Sequence, residues 1–214
     1  MKNIKYKGIN YNLKNKELQI NDLKIKDINE LEGLNRLIDL EVLDLNDNEI
    51  TEIKGLEKLT NLKTLSLSSN NISKIENLDS LENLESLILG DNNINIIENL
   101  GNLKKLKSLL LSENKISKIK NIIDLVILEQ LDLSSNRIKR IEWLKSLENL
   151  KELNLSNNKI EEIKGLENLK KLEIIYLKDN LLEPPDDRFS QDFTQGRKIV
   201  QYSINIIEKF LFLL

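Results

Sequence analysis

Hydrophobic residues recur every 22 positions through most of this chain. In the stretch Leu62 to Asn83, LKTLSLSSNNISKIENLDSLEN, almost every apolar residue has an equivalent 22 residues earlier and later. A fixed period of this length indicates stacked coils that share one continuous core. Six complete units share one phase, and they begin at Leu40, Leu62, Leu84, Leu106, Leu128 and Leu150.

Each unit reads LxxLxLxxNxIxxIxxLxxLxx and contains two shorter periods. The LxL part alternates with period two, which predicts a short strand with one buried face. After the asparagine, apolar residues recur at every third position, a spacing that stacks on a 3₁₀-helix but drifts around an α-helix. We therefore expect parallel strands on one side and short 3₁₀ or irregular turns on the other.

One asparagine occupies the same position in every unit. Its amide can donate and accept, so it can pair backbone groups of neighbouring coils that would otherwise be buried without partners. We interpret this column as structural, and it consists of Asn48, Asn70, Asn92, Asn114, Asn136, Asn158 and Asn180.

The chain start departs from the pattern. Residues 1–17 fit it poorly and are interpreted as an N-terminal cap of the core. The phase begins weakly at Leu18, because Asn21 and Lys26 occupy positions that are Leu and Asn in later units. Residues 18–182 then hold seven to eight repeats.

The chain end departs as well, after the last asparagine of the column. Residues 183–214 contain apolar side chains at helical spacing, which predicts a C-terminal cap helix over the last coil and completes a single domain, 1–214. The closing residues, FLFLL, are expected either to pack on the last coil or to mediate weak self-association. The protein is otherwise expected to be a monomer. The helical positions are Ile199, Tyr202, Ile206, Phe210 and Leu213.

The repeat resembles leucine-rich repeats, and a 22-residue unit with NxIxxIxxLxxL is similar to the subclass typified by the regulatory subunit of type-1 protein phosphatase. Internalins share the period, but they are secreted with signal peptides, and MKNIKYKGINYNLK lacks the apolar core of such a peptide. The resemblance implies an α/β repeat solenoid, a right-handed superhelix with a concave parallel sheet that binds other proteins.

A second resemblance concerns the C-terminal arrangement PP…QGxxIxxY, which is similar to the segment that closes the repeats of Roco proteins. It implies an alternative function, a regulatory segment of a GTPase or effector system that acts in cis in a longer parent or in trans. The residues are Pro184, Pro185, Gln195, Gly196, Ile199 and Tyr202.

The amino-acid composition excludes several kinds of catalytic and metal-binding site. The chain has no Cys and no His, which removes thiolate and imidazole metal sites, thiol nucleophiles and Ser-His or Cys-His pairs. The net charge of −3 disfavours nucleic acid, and no segment is long and apolar enough to span a bilayer. We therefore expect a cytoplasmic protein that is not an enzyme, with no cofactor, metal, membrane or small-molecule substrate.

The concave face is the first candidate for binding, since its outward side chains are not needed by the core. Ile88 and Leu110 lie in a field of Ser and Gly and are predicted to form an exposed aliphatic pair, while several acids face the same side. This pattern favours a protein partner with a basic patch and an apolar anchor. The predicted contact residues are Asp44, Asp47, Ile88, Asp91, Leu110, Glu113, Asp132, Asn154 and Tyr176.

The convex side is the alternative. Ile123, Val126 and Ile127 are apolar where other units are polar, and Trp143 stands where other units have Gly or Asn. These residues are expected either to thicken the core locally or to form an interface patch. The sequence leaves the binding face, the partner, the oligomeric state and the completeness of the chain open.

A column of charges follows the first leucine of each unit, and its sign alternates from coil to coil. Parallel strands lie about 4.8 Å apart, so each charge should have opposite charges on both sides and support the register. The column consists of Glu41, Lys63, Glu85, Lys107, Glu129, Lys151 and Glu173.

Overall fold

A three-residue strand begins one residue before the LxL segment of each repeat from Leu40 onwards in the computed structural model, which describes residues 3–182 and 198–201. The strands are β1 (Asn3–Tyr6), β2 (Ile9–Asn12), β3 (Glu17–Gln19), β4 (Val42–Asp44), β5 (Thr64–Ser66), β6 (Ser86–Ile88), β7 (Ser108–Leu110), β8 (Gln130–Asp132), β9 (Glu152–Asn154), β10 (Ile174–Tyr176) and β11 (Lys198–Gln201). Strands β3 to β11 form one parallel sheet in chain order. Over the described residues, the fold is a parallel-sheet solenoid of about seven turns with almost no helix.

Two turns of 3₁₀-helix, Ile28–Glu30 and Leu34–Arg36, lie between β3 and β4. In later coils the same side consists of turns closed by three-residue hydrogen bonds, such as Leu59 N to Leu56 O at 2.9 Å and Leu62 N to Leu59 O at 2.9 Å. The three-residue spacing of the apolar side chains thus corresponds to short 3₁₀-type turns, as predicted. The repeated leucines and isoleucines line one continuous buried core.

The asparagine column joins each coil to the one before it. Asn70 Nδ2 donates to Leu45 O of the preceding coil at 3.0 Å, and Asn70 Oδ1 accepts from Ile50 N at 2.9 Å. The same pair of bonds recurs along the column, and the six members from Asn48 to Asn158 are 7–8% exposed. The amide satisfies buried backbone groups on two coils, as its donor and acceptor chemistry predicted.

The N-terminal residues form an antiparallel hairpin, in which Ile4 and Tyr6 of β1 face the core. The expected phase of the first repeat is wrong. Leu18 pairs with Leu43 of β4, so it is the first strand leucine and does not correspond to Leu40. This coil is therefore three residues longer than the others, and the additional residues lie in its 3₁₀ turns.

The cap helix predicted through Ile199 is wrong in the part that the structure describes. Lys198–Gln201 is a strand that pairs in parallel with β10 at the sheet edge. An edge strand offers unpaired N–H and C=O groups that another strand can satisfy and a helix cannot, and the segment contains the β-branched residues Ile199 and Val200. Residues 183–197 and 202–214, including the Roco-like motif except Ile199 and the closing FLFLL, lie outside the described residues.

Candidate protein-binding face

Strand register places one residue of each LxL segment in a row across the sheet. The row was predicted from the repeat, and direct pairing of successive strands produces it. It contains two aliphatic residues between polar ones, in the order Asp44, Ser66, Ile88, Leu110, Asp132, Asn154 and Tyr176.

Ile88 and Leu110 are direct cross-strand neighbours, but both are partly buried and neither is fully exposed. This corrects the expectation of an exposed pair, because an aliphatic side chain on a pleated sheet is covered on its flanks by adjacent strands. A larger residue in place of Gly90, beside the pair, would require its neighbours to move, since a Cβ there would lie 3.0 Å from Ser112 Oγ. The pair therefore stands on a low surface of serine and glycine.

The acids in this row are held by local hydrogen bonds. Asp132 Oδ1 accepts from Ser134 N at 2.8 Å and from Ser134 Oγ at 2.7 Å, while its Oδ2 accepts from Asn154 Nδ2 at 3.3 Å. Asp44 accepts from Asn46 N at 3.1 Å and from Asn21 Nδ2 at 3.2 Å. These carboxylates stabilise the turn after the strand, so less of their hydrogen-bonding capacity remains for a ligand.

A second set of acids lies three residues further along, in the turn after each strand. Asp47, Asp91 and Glu113 are exposed, and none of them forms an ion pair within residues 3–182. Asp91 and Glu113 belong to the same two coils as Ile88 and Leu110. The apolar pair therefore has two free carboxylates beside it.

The sequence did not predict the backbone of this column. Every member has a left-handed φ between 51° and 56°, and the members are Asp47, Ser69, Asp91, Glu113, Ser135, Asn157 and Asp179. Asp, Asn and Ser are frequent turn residues, so their recurrence was the available signal, but the column was interpreted only through its charges. The glutamate at position 113 is less common in this conformation.

The alternating charges at the edge of the sheet form separate ion pairs. The distances between Nζ and carboxylate oxygen are 2.6 Å for Lys63–Glu41, 2.7 Å for Lys107–Glu85 and 2.6 Å for Lys151–Glu129. Each lysine donates to the glutamate of the coil before it, which raises the pKa of Lys107 and Lys151, and the charge of the glutamate in the following coil adds to this increase. These lysines therefore have opposite charges on both sides, as expected, but hydrogen-bond to one of them.

Glu41 is the exception because it accepts from two lysines. Hydrogen bonds from Lys16 and Lys63, together with the charges of both lysines, lower the pKa of Glu41 from 4.5 to about 2. Lys16 precedes β3, so this pair of bonds extends the charge column into the first, longer coil.

The predicted convex residues lie on the outer side, which is the part of each coil between consecutive strands. Ile123, Val126 and Trp143 are among the most exposed large apolar residues, whereas Ile127 is partly buried. Among the described residues, no three His, Cys, Asp or Glu side chains are grouped as a metal site would require. No helix in the described part of the chain is long and apolar enough to cross a membrane.

Comparison with known proteins identifies leucine-rich repeats in the chain. A family model of two leucine-rich repeats matches residues 38–80, 128–168 and 148–187. No curated protein sequence matches the chain.

Solved structures with the same architecture include proteins of two bacteria. An internalin (InlF) of Listeria monocytogenes is 30% identical, with a TM-score of 0.71, over 85% of this chain and 51% of its own. Internalin C2 (InlC2) of the same species is 27% identical, with a TM-score of 0.76, over 87% and 79%. A leucine-rich-repeat protein of Leptospira interrogans is 26% identical, with a TM-score of 0.75, over 86% and 53%.

This chain therefore spans about half the length of two of these three relatives. Two of the three are internalins. The phosphatase-regulator subclass and the Roco-like segment are not confirmed. The family matches and the shared parallel-sheet solenoid together support a leucine-rich-repeat protein.

Proposed function

We propose that this chain is a non-catalytic interaction module that binds a protein partner on its sheet face. Leucine-rich-repeat proteins, internalins among them, are typically protein-interaction modules. The partner in this proposal carries an apolar anchor and a basic patch. The right-handed superhelix, the cytoplasmic location, the monomeric state and the division into residues 1–17, 18–182 and 183–214 stay predictions.

One observation carries the proposal. Ile88 and Leu110 are paired neighbours on the sheet, and Asp91 and Glu113, whose carboxylates form no ion pair with another described residue, lie on the same two coils. An apolar centre with charges at its edge is the usual arrangement of a binding hot spot, because the centre excludes water and the rim steers the approach. A basic partner surface matches the sign of this rim.

The low surface around the pair adds a shape argument. Gly90 and Ser112 are so close that the glycine cannot be replaced by a larger residue without movement of its neighbours. A shallow site of this kind leaves space for a side chain of the partner above Ile88 and Leu110. Their partial exposure gives the partner apolar surface to bury.

The test uses a partner captured from the source cell with the full chain and identified by mass spectrometry. Replacing Ile88→Asp together with Leu110→Asp should weaken its binding by at least about 100-fold, because two hot-spot residues are lost and two charges are buried. Affinity for the unmodified chain should also fall as salt is added, since the rim charges are exposed.

The matched control is Ile38→Asp together with Ile96→Asp, which adds the same two charges at isoleucines that are 53% and 37% exposed on the outer side. This variant should bind the partner as the unmodified chain does. Unchanged affinity in the sheet-face variant, with its thermal unfolding intact, would contradict the proposed site.

A further inference from the structure

Trp143 occupies a left-handed backbone position that other repeats give to glycine or asparagine. Its φ is 63°, and the residues at the same repeat position are Gly55 (77°), Asn77 (58°), Asn99 (56°), Asn121 (58°) and Gly165 (78°). Glycine adopts this conformation freely, asparagine tolerates it, and a bulky side chain is disfavoured there. The repeat thus places its one tryptophan where the backbone suits tryptophan poorly.

Trp143 also lacks a hydrogen bond that asparagine forms at this repeat position. Asn77, Asn99 and Asn121 each donate through Nδ2 to a carbonyl of the preceding coil, at 2.7, 2.7 and 2.8 Å. The indole of Trp143 makes no hydrogen bond within residues 3–182, and 59% of the residue is exposed. Neither the backbone nor the core accounts for this residue. Unfavourable conformations of this kind are concentrated at functional sites.

Two further apolar side chains lie on the coil before Trp143. Ile123 is 48% exposed and Val126 is 49% exposed, at positions that are polar in most other coils. The hydrogen bond from Asn149 Nδ2 to Val126 O, 2.8 Å long, joins these two coils on the same side. Three exposed apolar residues are thereby present on adjacent coils of the outer side.

The outer segments that follow the column asparagine in these two coils carry the opposite charge to the equivalent segments of other coils. Segments 115–123 and 137–145 contain one acid, Glu142, and seven basic residues, which are Lys115, Lys118, Lys120, Arg137, Lys139, Arg140 and Lys145. The equivalent segments 49–57, 71–79, 93–101 and 159–167 contain Lys54, Lys74, Lys159 and Lys164 against Glu49, Glu52, Glu57, Glu76, Asp79, Glu98, Glu161, Glu162 and Glu167. The chain as a whole is acidic, so this local excess of positive charge is specific to the coils that hold the apolar residues.

None of these seven basic residues forms an ion pair with another described residue. Six lysines elsewhere pair with carboxylates at 2.6–3.0 Å, and they are Lys54, Lys63, Lys104, Lys107, Lys151 and Lys164. Lys115 Nζ donates to Asn93 Oδ1, which is a neutral acceptor. The unpaired cations attract an anionic ligand without first having to break an internal salt bridge.

We propose that Trp143, Ile123 and Val126, together with the seven basic residues, form a second docking surface, the Trp143 surface, for an acidic amphipathic segment of another protein. The apolar residues of that segment cover the indole and the two aliphatic side chains, and its carboxylates face the lysines and arginines. A nucleic acid would satisfy the charges but would leave Ile123 and Val126 without apolar partners. The surface is opposite in sign to the sheet face, so each surface selects a different partner.

The experiment starts from a random peptide library displayed on phage and selected on the full chain. Clones that prefer the unmodified chain to the variant Trp143→Asn should be acidic and should carry aliphatic or aromatic residues. Since Trp143 is the one tryptophan of the chain, a selected peptide without tryptophan should shift its fluorescence emission to shorter wavelength by removing water from the indole. Clones without an acidic bias would overturn the proposal, and so would a peptide that leaves the emission unchanged.

Charge variants separate this surface from general electrostatic attraction. Lys139→Glu together with Arg140→Glu should weaken binding of the selected peptide at least tenfold, because both cations lie in the same outer segment as Trp143. Lys74→Glu, at the repeat position equivalent to Arg140 three coils earlier, should change it less than twofold. Equal losses in the two variants, or an equal emission shift with a single-stranded oligonucleotide of matched charge, would overturn the assignment to an acidic protein segment.

The asparagine variant keeps the test independent of folding. Trp143→Asn restores the residue found at three equivalent positions, so it should melt at or above the temperature of the unmodified chain while losing the peptide, measured by anisotropy of a labelled peptide. A variant that retains full peptide affinity would contradict the role of Trp143. Neither result depends on the sheet face, so failure of this proposal and failure of the proposed function can be distinguished.

Discussion

Replacing Asn92 by alanine tests how the coils are held together. Asn92 Oδ1 accepts from Ile72 N at 2.9 Å, and its Nδ2 donates to the carbonyls of Leu67, Leu89 and Gly90 at 2.9, 3.2 and 3.1 Å. These bonds join two consecutive coils in a region that water does not reach. The cost of the substitution depends on which of the four groups keeps another partner.

Each of the three carbonyls keeps another hydrogen-bond donor after the substitution. Leu67 O still accepts from Asn70 Nδ2 at 3.1 Å, Leu89 O from Asn114 Nδ2 at 2.9 Å, and Gly90 O from Ser69 N at 3.0 Å. Only the N–H of Ile72 loses its partner. One buried donor without a partner costs about 1–3 kcal/mol, so the free energy of unfolding should fall by that amount.

Urea unfolding followed by circular dichroism measures the loss. Asn95→Ala is the matched control, because Asn95 is exposed in the same coil, and this variant should stay within about 0.5 kcal/mol of the unmodified chain. Asn180→Ala should lose less than Asn92→Ala, since Asn180 is only partly buried. If Asn92→Ala unfolds at the same urea concentration as Asn95→Ala, the inter-coil role of the column is wrong.

Two further predictions follow from the ion pairs and the outer turns. Replacing Lys16 or Lys63 by methionine should raise the pKa of Glu41 from about 2 towards 4.5, and NMR titration of the carboxyl group measures this change. The contribution of Glu41 to the free energy of unfolding is complete above pH 4.5 and is lost as the pH falls towards 2. An unchanged pKa of Glu41 in both variants would contradict the assignment of its shift to the two lysines. Replacing Asn77 by tryptophan should lower the free energy of unfolding in urea by about 1–2 kcal/mol. The substitution removes the 2.7 Å hydrogen bond to Ile53 O and places a bulky residue in a left-handed conformation. Equal stability of this variant and the unmodified chain would refute the backbone strain inferred at Trp143.

The repeat was readable from sequence because one pattern determines both the strand register and the buried face. Leu65, Leu87 and Leu109 pair directly across the sheet, as the 22-residue period requires. The asparagine column was predictable for the same reason, since an amide recurring at the end of a strand has few roles other than pairing backbone groups.

The first repeat could not be placed because its apolar residues recur in threes. A pattern such as Leu31, Leu34 and Leu37 looks the same after a shift of three residues, so sequence cannot distinguish a regular coil from one with an additional 3₁₀ turn. Pairing of Leu18 with Leu43 resolves the phase. The error concerns the position of an insertion and leaves the later coils unaffected.

The candidate site was predicted in part. The row containing Ile88 and Leu110 follows from the period, but the accessibility of these side chains depends on flanking strands, which a one-dimensional pattern does not describe. The hydrogen bonds that hold Asp132 depend on Ser134 and Asn154, and only coordinates relate these residues. Trp143 was recognised as a departure from Gly or Asn, yet the left-handed backbone that explains this preference became visible only in the structure.

Amide hydrogen exchange of the chain, free and bound to its captured protein partner, tests most directly the claim that the sheet face around Ile88 and Leu110 is the binding site. We expect the added protection to be confined to residues 86–91 and 108–113. Protection restricted to other coils, with residues 86–91 and 108–113 exchanging as in the free chain, would contradict it.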